Sequence, residues 1–327
     1  DLGIDAVKLQ PSDGSTAVIV GEWNTAGANE GWRLTTAADA PFVKAMAPSL
    51  APATPSQAPI ASITVSETDH NTLYIAHRKL GVFKSTDGAA TWTLLDTPKE
   101  AANISIFPKD SRLLYGAFGK SGIWRSADGG KTWKNCSATL PENCDAREVS
   151  VNAINPKIVH AIGNQGWGGF YFNSADGGET WTAKRKYTPD SVNNPTLPQD
   201  NHGGKDLSTT SNLATTPADP DLVFIVANWN NIMSTDGGKT WNETIKGADI
   251  TCFHDLRFAG NQTFAVAMDE GLFTSANNGQ TWTQLTPLAY QEGLSGHQWR
   301  VAAFQKDNGD YHIVSTVSAW RGAKEYP

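Results

Sequence analysis

Cysteine and methionine are scarce in this chain of 327 residues, three of each. Long apolar runs are absent: nothing approaches the ~18 residues that a membrane-crossing helix needs. No run of Lys or Arg exceeds three residues and the net charge is −7, so a nucleic-acid surface is disfavoured. No glycine-rich phosphate loop leads from a strand into a helix, and no His-Glu-x-x-His pair or EF-hand ligand string occurs. Cys136, Cys144 and Cys252 lack zinc-site spacing, and no nucleophile elbow is present. Neither metal nor cofactor is therefore expected. A leader segment is also missing, and a start at Asp1 suits a processed mature protein. Cys136 and Cys144 flank a short loop and are candidates for a local disulfide, which would leave Cys252 as a free, buried thiol. Sequons at Asn103, Asn135, Asn242 and Asn261 carry little weight in a chain so rich in Asn, Ser and Thr.

What the chain has is tryptophan, twelve in all, and an eight-residue repeat. Ser-Thr-Asp-Gly-Gly-Lys-Thr-Trp spans residues 234 to 241, and four further copies run from Ser85 to Trp92, Ser126 to Trp133, Ser174 to Trp181 and Ser275 to Trp282. Ala89 replaces the second glycine in the first copy, and Asn277 replaces the aspartate in the last. Five matches to one pattern put the repeat before any other reading. Asp followed by Gly is turn chemistry: the carboxylate accepts backbone N–H bonds and the glycine tolerates positive φ. A short alternating run such as Gly81–Lys84 precedes each copy, and Thr-Trp with another such run follows. Each copy therefore predicts a hairpin turn, with the Trp plugging the start of the second strand.

This repeat resembles the Asp-box (BNR repeat) of sialidases, family 74 xyloglucanases and sortilin-type receptors. The resemblance implies a β-propeller with the box on the outer hairpin of each blade, and it marks the box residues themselves as scaffold. The intervals between Trp92, Trp133, Trp181, Trp241 and Trp282 equal or exceed the ~40–45 residues of a four-stranded blade. Upstream of every box a strand–turn–strand unit repeats, as in Ile60–Val65 turning into Leu73–Ala76 and Ile104–Phe107 turning into Leu113–Tyr115. Two more such units lack a box, Ala6–Leu9 with Ala17–Val20 and Val301–Phe304 with His312–Ser315. Seven inner hairpins predict an all-β, seven-bladed propeller in a single domain, 1–327. Its blades fall near 1–59, 60–100, 101–145, 146–205, 206–250, 251–295 and 296–327. The first blade is expected to have a degenerate outer hairpin around Trp32–Ala45, with the proline-rich 48–59 stretch as a link. The last is expected to be incomplete, as in a piece of a longer chain.

In a propeller the turns after each second strand share one face with the links between blades. Those turns read Glu22-Trp23-Asn24, His77-Arg78-Lys79, Phe118-Gly119-Lys120, Gln165-Gly166-Trp167, Asn228-Trp229-Asn230, Asp269-Glu270 and Trp320-Arg321. Four of the seven non-box tryptophans fall there. Aromatic faces among amides and charges suit the stacking and hydrogen bonding of sugar rings. Trp23, His77, Arg78, Gln165, Trp167, Trp229 and Trp320, with Trp299 and Arg300 opening the last inner strand, are thus candidate substrate contacts. The long Lys184–Asp206 insertion lies on the same face. His202, His254 and His297 stand at or near the starts of inner strands. Asp206, Asp255, Asp269 and Glu270 are the nearest carboxylates, and a pair of them suits acid–base work on a glycosidic bond. With His202 and His254, these four are the candidate catalytic residues.

The absence of an Arg-Ile-Pro motif, and of any arginine but Arg33 before Arg78, excludes a true sialidase. Box spacing and the Leu114-Tyr115 to Gly122–Ser126 rhythm resemble the family 74 enzymes more closely. That resemblance implies a secreted glycoside hydrolase acting on a polysaccharide. Two other readings stay open: a polysaccharide lyase using His202, His254, Arg257 and Arg300, and a non-catalytic propeller that holds a protein or glycan.

Overall fold

The computed structural model describes residues 6–9, 16–20, 24–25, 28–29, 32–36, 60–88, 91–166, 168–184, 210–216, 218–227, 231–244, 246–248, 253–267, 271–285, 298–305 and 308–317. Among them every helix or strand is a strand. The first five are β1 (Ala6–Leu9), β2 (Thr16–Val20), β3 (Asn24–Thr25), β4 (Ala28–Asn29) and β5 (Trp32–Thr36). Five groups of four follow in chain order, each ending in a strand of two or three residues.

The first group is β6 (Ile60–Val65), β7 (Leu73–His77), β8 (Gly81–Ser85) and β9 (Thr93–Leu94), and the second is β10 (Asn103–Ile106), β11 (Leu114–Ala117), β12 (Ile123–Ser126) and β13 (Lys134–Asn135). Next come β14 (Asp145–Val151), β15 (Val159–Gln165), β16 (Gly168–Ser174) and β17 (Thr182–Lys184). They are followed by β18 (Thr210–Thr216), β19 (Asp219–Ala227), β20 (Asn231–Ser234) and β21 (Asn242–Glu243). The last complete set is β22 (Phe253–Ala259), β23 (Gln262–Ala267), β24 (Gly271–Ser275) and β25 (Thr283–Gln284). Each set forms one sheet with its strands in chain order. The chain closes on β26 (Gln298–Gln305) and β27 (Tyr311–Val317).

The fold is an all-β β-propeller, with five four-stranded blades rather than the seven expected. All seven inner hairpins form, and among the described residues β1-β2-β5 has three strands and β26-β27 two. The five complete blades are the five that carry a box, whose hydrogen bonds close the turn between third and fourth strands. The turn between β2 and β5 carries the short β3–β4 ladder.

In each box the serine, aspartate and threonine bind one another. Ser126 Oγ donates to Asp128 Oδ1 at 2.8 Å and accepts the Gly130 amide at 2.9 Å, while Asp128 accepts the Thr132 amide (2.9 Å) and hydroxyl (2.6 Å). The same net recurs at Ser85, Ser174 and Ser234. In the fifth box Asn277 reverses one bond, its Nδ2 donating to the Thr281 hydroxyl at 2.9 Å. The tryptophans then plug the hairpins: Trp181, Trp241 and Trp282 are buried.

Blades are joined by two further repeats. Tyrosines reach the next box, Tyr74 and Tyr115 from second strands and Tyr171 from the third strand β16, their hydroxyls donating to the Gly129, Gly177 and Gly237 carbonyls at 3.1, 2.9 and 3.4 Å. A side chain at Gly238 would run into the Tyr171 ring, so only glycine fits at that residue. Polar side chains on inner strands bind the neighbouring inner strand. Asn103 Oδ1 accepts the Val149 amide (3.1 Å), Ser105 Oγ the Val151 amide (3.1 Å) and Asn212 Oδ1 the Leu256 amide (3.3 Å).

Strand alternation sends successive residues to opposite sheet faces. Ile232 packs with Tyr171, Leu213 and Trp241, and the adjacent Met233 packs with Phe224, Phe253, Phe273 and Trp282. Contacts divide the chain into two compact units, Asp1–Ala161 with Asn173–Thr182 and Phe304–His312, and Ile162–Phe172 with Ala183–Ala303 and Ile313–Pro327. No disulfide joins Cys136 and Cys144: both are buried free thiols, and burial pushes Cys144 up to about 11. Cys252, the proline-rich link and the 185–206 part of the long insertion lie outside the described residues.

Candidate functional site

In the first unit the β11–β12 turn meets the link that leads into β14. The Gly119 amide donates to the Ala146 carbonyl at 3.1 Å and the Ala146 amide returns a bond at 2.9 Å. Turn and inter-blade link thus share one face, as expected. Gly119 has φ 54, and the point where its Cβ would sit is 3.0 Å from Glu100 Oε2 and 3.4 Å from Asp145 Oδ1. The two carboxylates are therefore separated by no more than the sum of those distances, around a backbone with no side chain to keep them apart. Asp145 Oδ2 pairs with Arg147 Nη2 at 2.8 Å. Glu100 is exposed, itself at φ 64, and makes no ion pair among the described residues.

The second unit places His254, Asp255 and Arg257 on β22 and Trp299 and Arg300 on β26. A register shift between Phe253 and Asp255 leaves His254 as the extra residue of a bulge in β22. The same shift occurs in β6 and β18, where Ala61 and Ser211 take that place. Bulges re-aim a side chain out of the ladder. Beside it, Asp255 is 1% exposed. Its Oδ2 accepts the Val301 amide at 3.0 Å, and its Oδ1 accepts the Leu256 amide at 3.1 Å and pairs with Arg257 Nη1 at 3.0 Å. This carboxylate extends the inner-strand series of Asn103, Ser105 and Asn212. Arg300, half-buried, adjoins Val301 on β26, and Trp299 lies on the same strand.

His77 is held within its own turn. Its Nδ1 accepts the Lys79 and Leu80 amides, both at 3.1 Å, and the ring meets Phe83 edge-on at 6.3 Å. Burial, more than any neighbouring charge, lowers its pKa. The neutral imidazole thus closes the turn. Arg78 is half-buried next to it, and Gln165 ends β15 exposed. Trp23, Trp167, His202, Asp206, Trp229, Asp269, Glu270, His297 and Trp320 lie outside the described residues.

Glu100, Asp145 and Arg147 were not among the expected site residues. Nothing local in the sequence singles out Glu100, because its approach to Gly119 depends on a left-handed backbone in a link between blades. Among the described residues no group of three or more His, Cys, Asp or Glu could hold a metal ion, and no helix is long and apolar enough to cross a membrane.

The BNR/Asp-box repeat family model matches residues 232–243. No curated protein matches the chain. Among solved structures, an ancestral GH74 enzyme aligns with TM-score 0.59 at 15% identity, covering 79% of this chain and 38% of that one. YCF48 bound to D1 peptide aligns with TM-score 0.60 at 16% identity, covering 92% of this chain and 86% of that one. The chain thus spans well under half the length of the GH74 enzyme that it resembles. Such likenesses speak to fold, and with the five boxes they make this a BNR/Asp-box propeller with a GH74-like resemblance.

Proposed function

We propose that this propeller binds a polysaccharide across the face carrying its second-strand turns and inter-blade links, and hydrolyses it. The observation that carries the reading is the approach of Glu100 and Asp145 around Gly119 on that face. Their ceiling of separation admits the ~5–5.5 Å between the two carboxyl groups of a retaining glycosidase. Arg147 orients Asp145, which suits a nucleophile. Glu100 has no such anchor and would carry the proton to the leaving oxygen. The tryptophan-rich turns would supply sugar stacking, as the sequence suggests, and a polymeric glycan places this work outside the cell.

A second reading rests on His254, Arg257 and Arg300 near the head of the inner strands in the second unit, where a base and cations would serve elimination at a uronic acid. The test is a screen of neutral and uronic-acid polysaccharides that follows reducing ends and ultraviolet absorbance together. Reducing ends without absorbance are expected, with Glu100→Gln and Asp145→Asn each lowering kcat by about 10²–10⁴. Retained activity in both variants would overturn the assignment. Absorbance abolished by His254→Ala would instead support elimination. Silence from a folded chain, with binding to an extended peptide, would favour a non-catalytic role like that suggested by the peptide-bound neighbour.

A further inference from the structure

We propose that Asn308–Gly309, at the tip of the β26–β27 turn, is a site of spontaneous deamidation and isoaspartate formation, and that the box fold shields every other described Asn–Gly or Asp–Gly pair from the same chemistry. The reaction needs the glycine amide nitrogen to attack the side-chain carbonyl carbon of the residue before it. A nitrogen–carbon bond forms, the bond from Cγ to Nδ2 breaks, and ammonia leaves with the proton from the glycine amide. Water then opens the cyclic imide at either carbonyl, giving aspartate or isoaspartate.

In the boxes that nitrogen is already held. The Gly88, Gly129, Gly177 and Gly237 amides donate to the carbonyls of Asn71, Arg112, Lys157 and Asp221 at 3.0, 2.9, 2.7 and 2.9 Å. Asn278–Gly279 is the other Asn–Gly pair in the chain. There the Gly279 amide donates to the buried Ser275 hydroxyl at 2.8 Å. Attack at any of these places must wait for the hairpin to open.

Asn308 differs in each respect. Asn308, Gly309 and Asp310 are all exposed, and among the described residues no hydrogen bond engages the Gly309 amide. The Asp310 amide donates to Asn308 Oδ1 at 3.1 Å, which holds a donor where negative charge develops on attack. Asn308 Nδ2, the departing group, lies 2.8 Å from Asp310 Oδ2. The turn therefore polarises the carbonyl and leaves the nucleophile uncommitted. The product would add a negative charge beside Asp310, and the isoaspartate form would insert an extra backbone carbon at the turn.

The test ages the folded protein in mildly alkaline buffer made with heavy-oxygen water, then maps peptides by mass. Expected is heavy-oxygen deamidation at Asn308 at least about tenfold faster than at Asn278, since the latter depends on local opening. No isoaspartate is expected at the box Asp–Gly pairs. In denaturant the two Asn–Gly pairs should react at similar rates, and Asn308→Gln should remove the early product. Equal rates at Asn278 and Asn308 in the folded protein, or an Asn308 that stays intact while the denatured chain reacts, would overturn the proposal.

Discussion

Tyr74, Tyr115 and Tyr171 carry their hydroxyls to a box carbonyl in the next blade, and burial pushes Tyr74 and Tyr115 up to about 12. Phe224 reaches the equivalent place, its ring 2.6 Å from where a Gly279 Cβ would sit and edge-on to Trp282 at 6.1 Å, but brings no hydroxyl. Phe224→Tyr is therefore expected to gain the missing bond to the Asn278 carbonyl and stabilise by about 0.5–1.5 kcal/mol. A higher denaturant midpoint at unchanged slope would show it; an unchanged or lower midpoint would mean the hydroxyl finds no room. His160 makes the opposite case. Fully buried, with Nδ1 3.3 Å from Asn173 Nδ2, it is held down to about 4 by burial. The unfolded chain takes up this proton below the ordinary 6.5, whereas the folded chain does not. Stability should thus fall as pH drops from 6.5 towards 4 and level off below, by about 3 kcal/mol in all. Thermal midpoints of wild type and His160→Leu across that window check this, and parallel profiles would refute it.

At the scale of the element the box explains both the hairpins and their acid sensitivity. The Thr132 and Thr180 hydroxyls first, then their amides and the serine hydroxyls, hold Asp128 and Asp176 well below the usual carboxylate range, at about 2. A depressed carboxylate contributes stability that is present above its unfolded pKa and lost as pH falls through its folded value. Loss is therefore expected between about 4 and 2. Asn277 cannot take part, since its amide does not titrate. Asp128→Asn and Asp176→Asn, which copy that natural box, should flatten the acid limb of a circular-dichroism titration. A limb as steep as before would place the acid sensitivity elsewhere. Outer strands are kept to two or three residues, as in Thr93–Leu94, Lys134–Asn135 and Thr283–Gln284. Short polar edges offer little template for pairing with another chain.

For the whole molecule, a ligand that binds only the folded chain must stabilise it. At ~100 times its Kd an oligosaccharide should add about 2.7 kcal/mol, seen as a rise in Tm. The Glu100→Gln variant should keep that rise if its role is proton transfer and lose it if its role is binding. Box hairpins, inner hairpins and the face shared by turns and links were all legible in the sequence. Each depends on neighbours in the chain: turn glycines, alternation of period two, and a serine and threonine within reach of one aspartate. Blade number was less legible, because seven inner hairpins do not specify seven outer ones where no box closes the turn. The site was least legible. Asp255 reads as a carboxylate near a strand head, yet its partners are Val301, Leu256 and Arg257. Glu100 and Asp145 are far apart in sequence and both approach Gly119 only because an inter-blade link and the start of β14 converge on it. By itself, then, the sequence determined the repeating unit, since its bonds are local. Tertiary structure decided which carboxylates are spent on joining blades and which approach Gly119, because residues distant in the chain must converge for either.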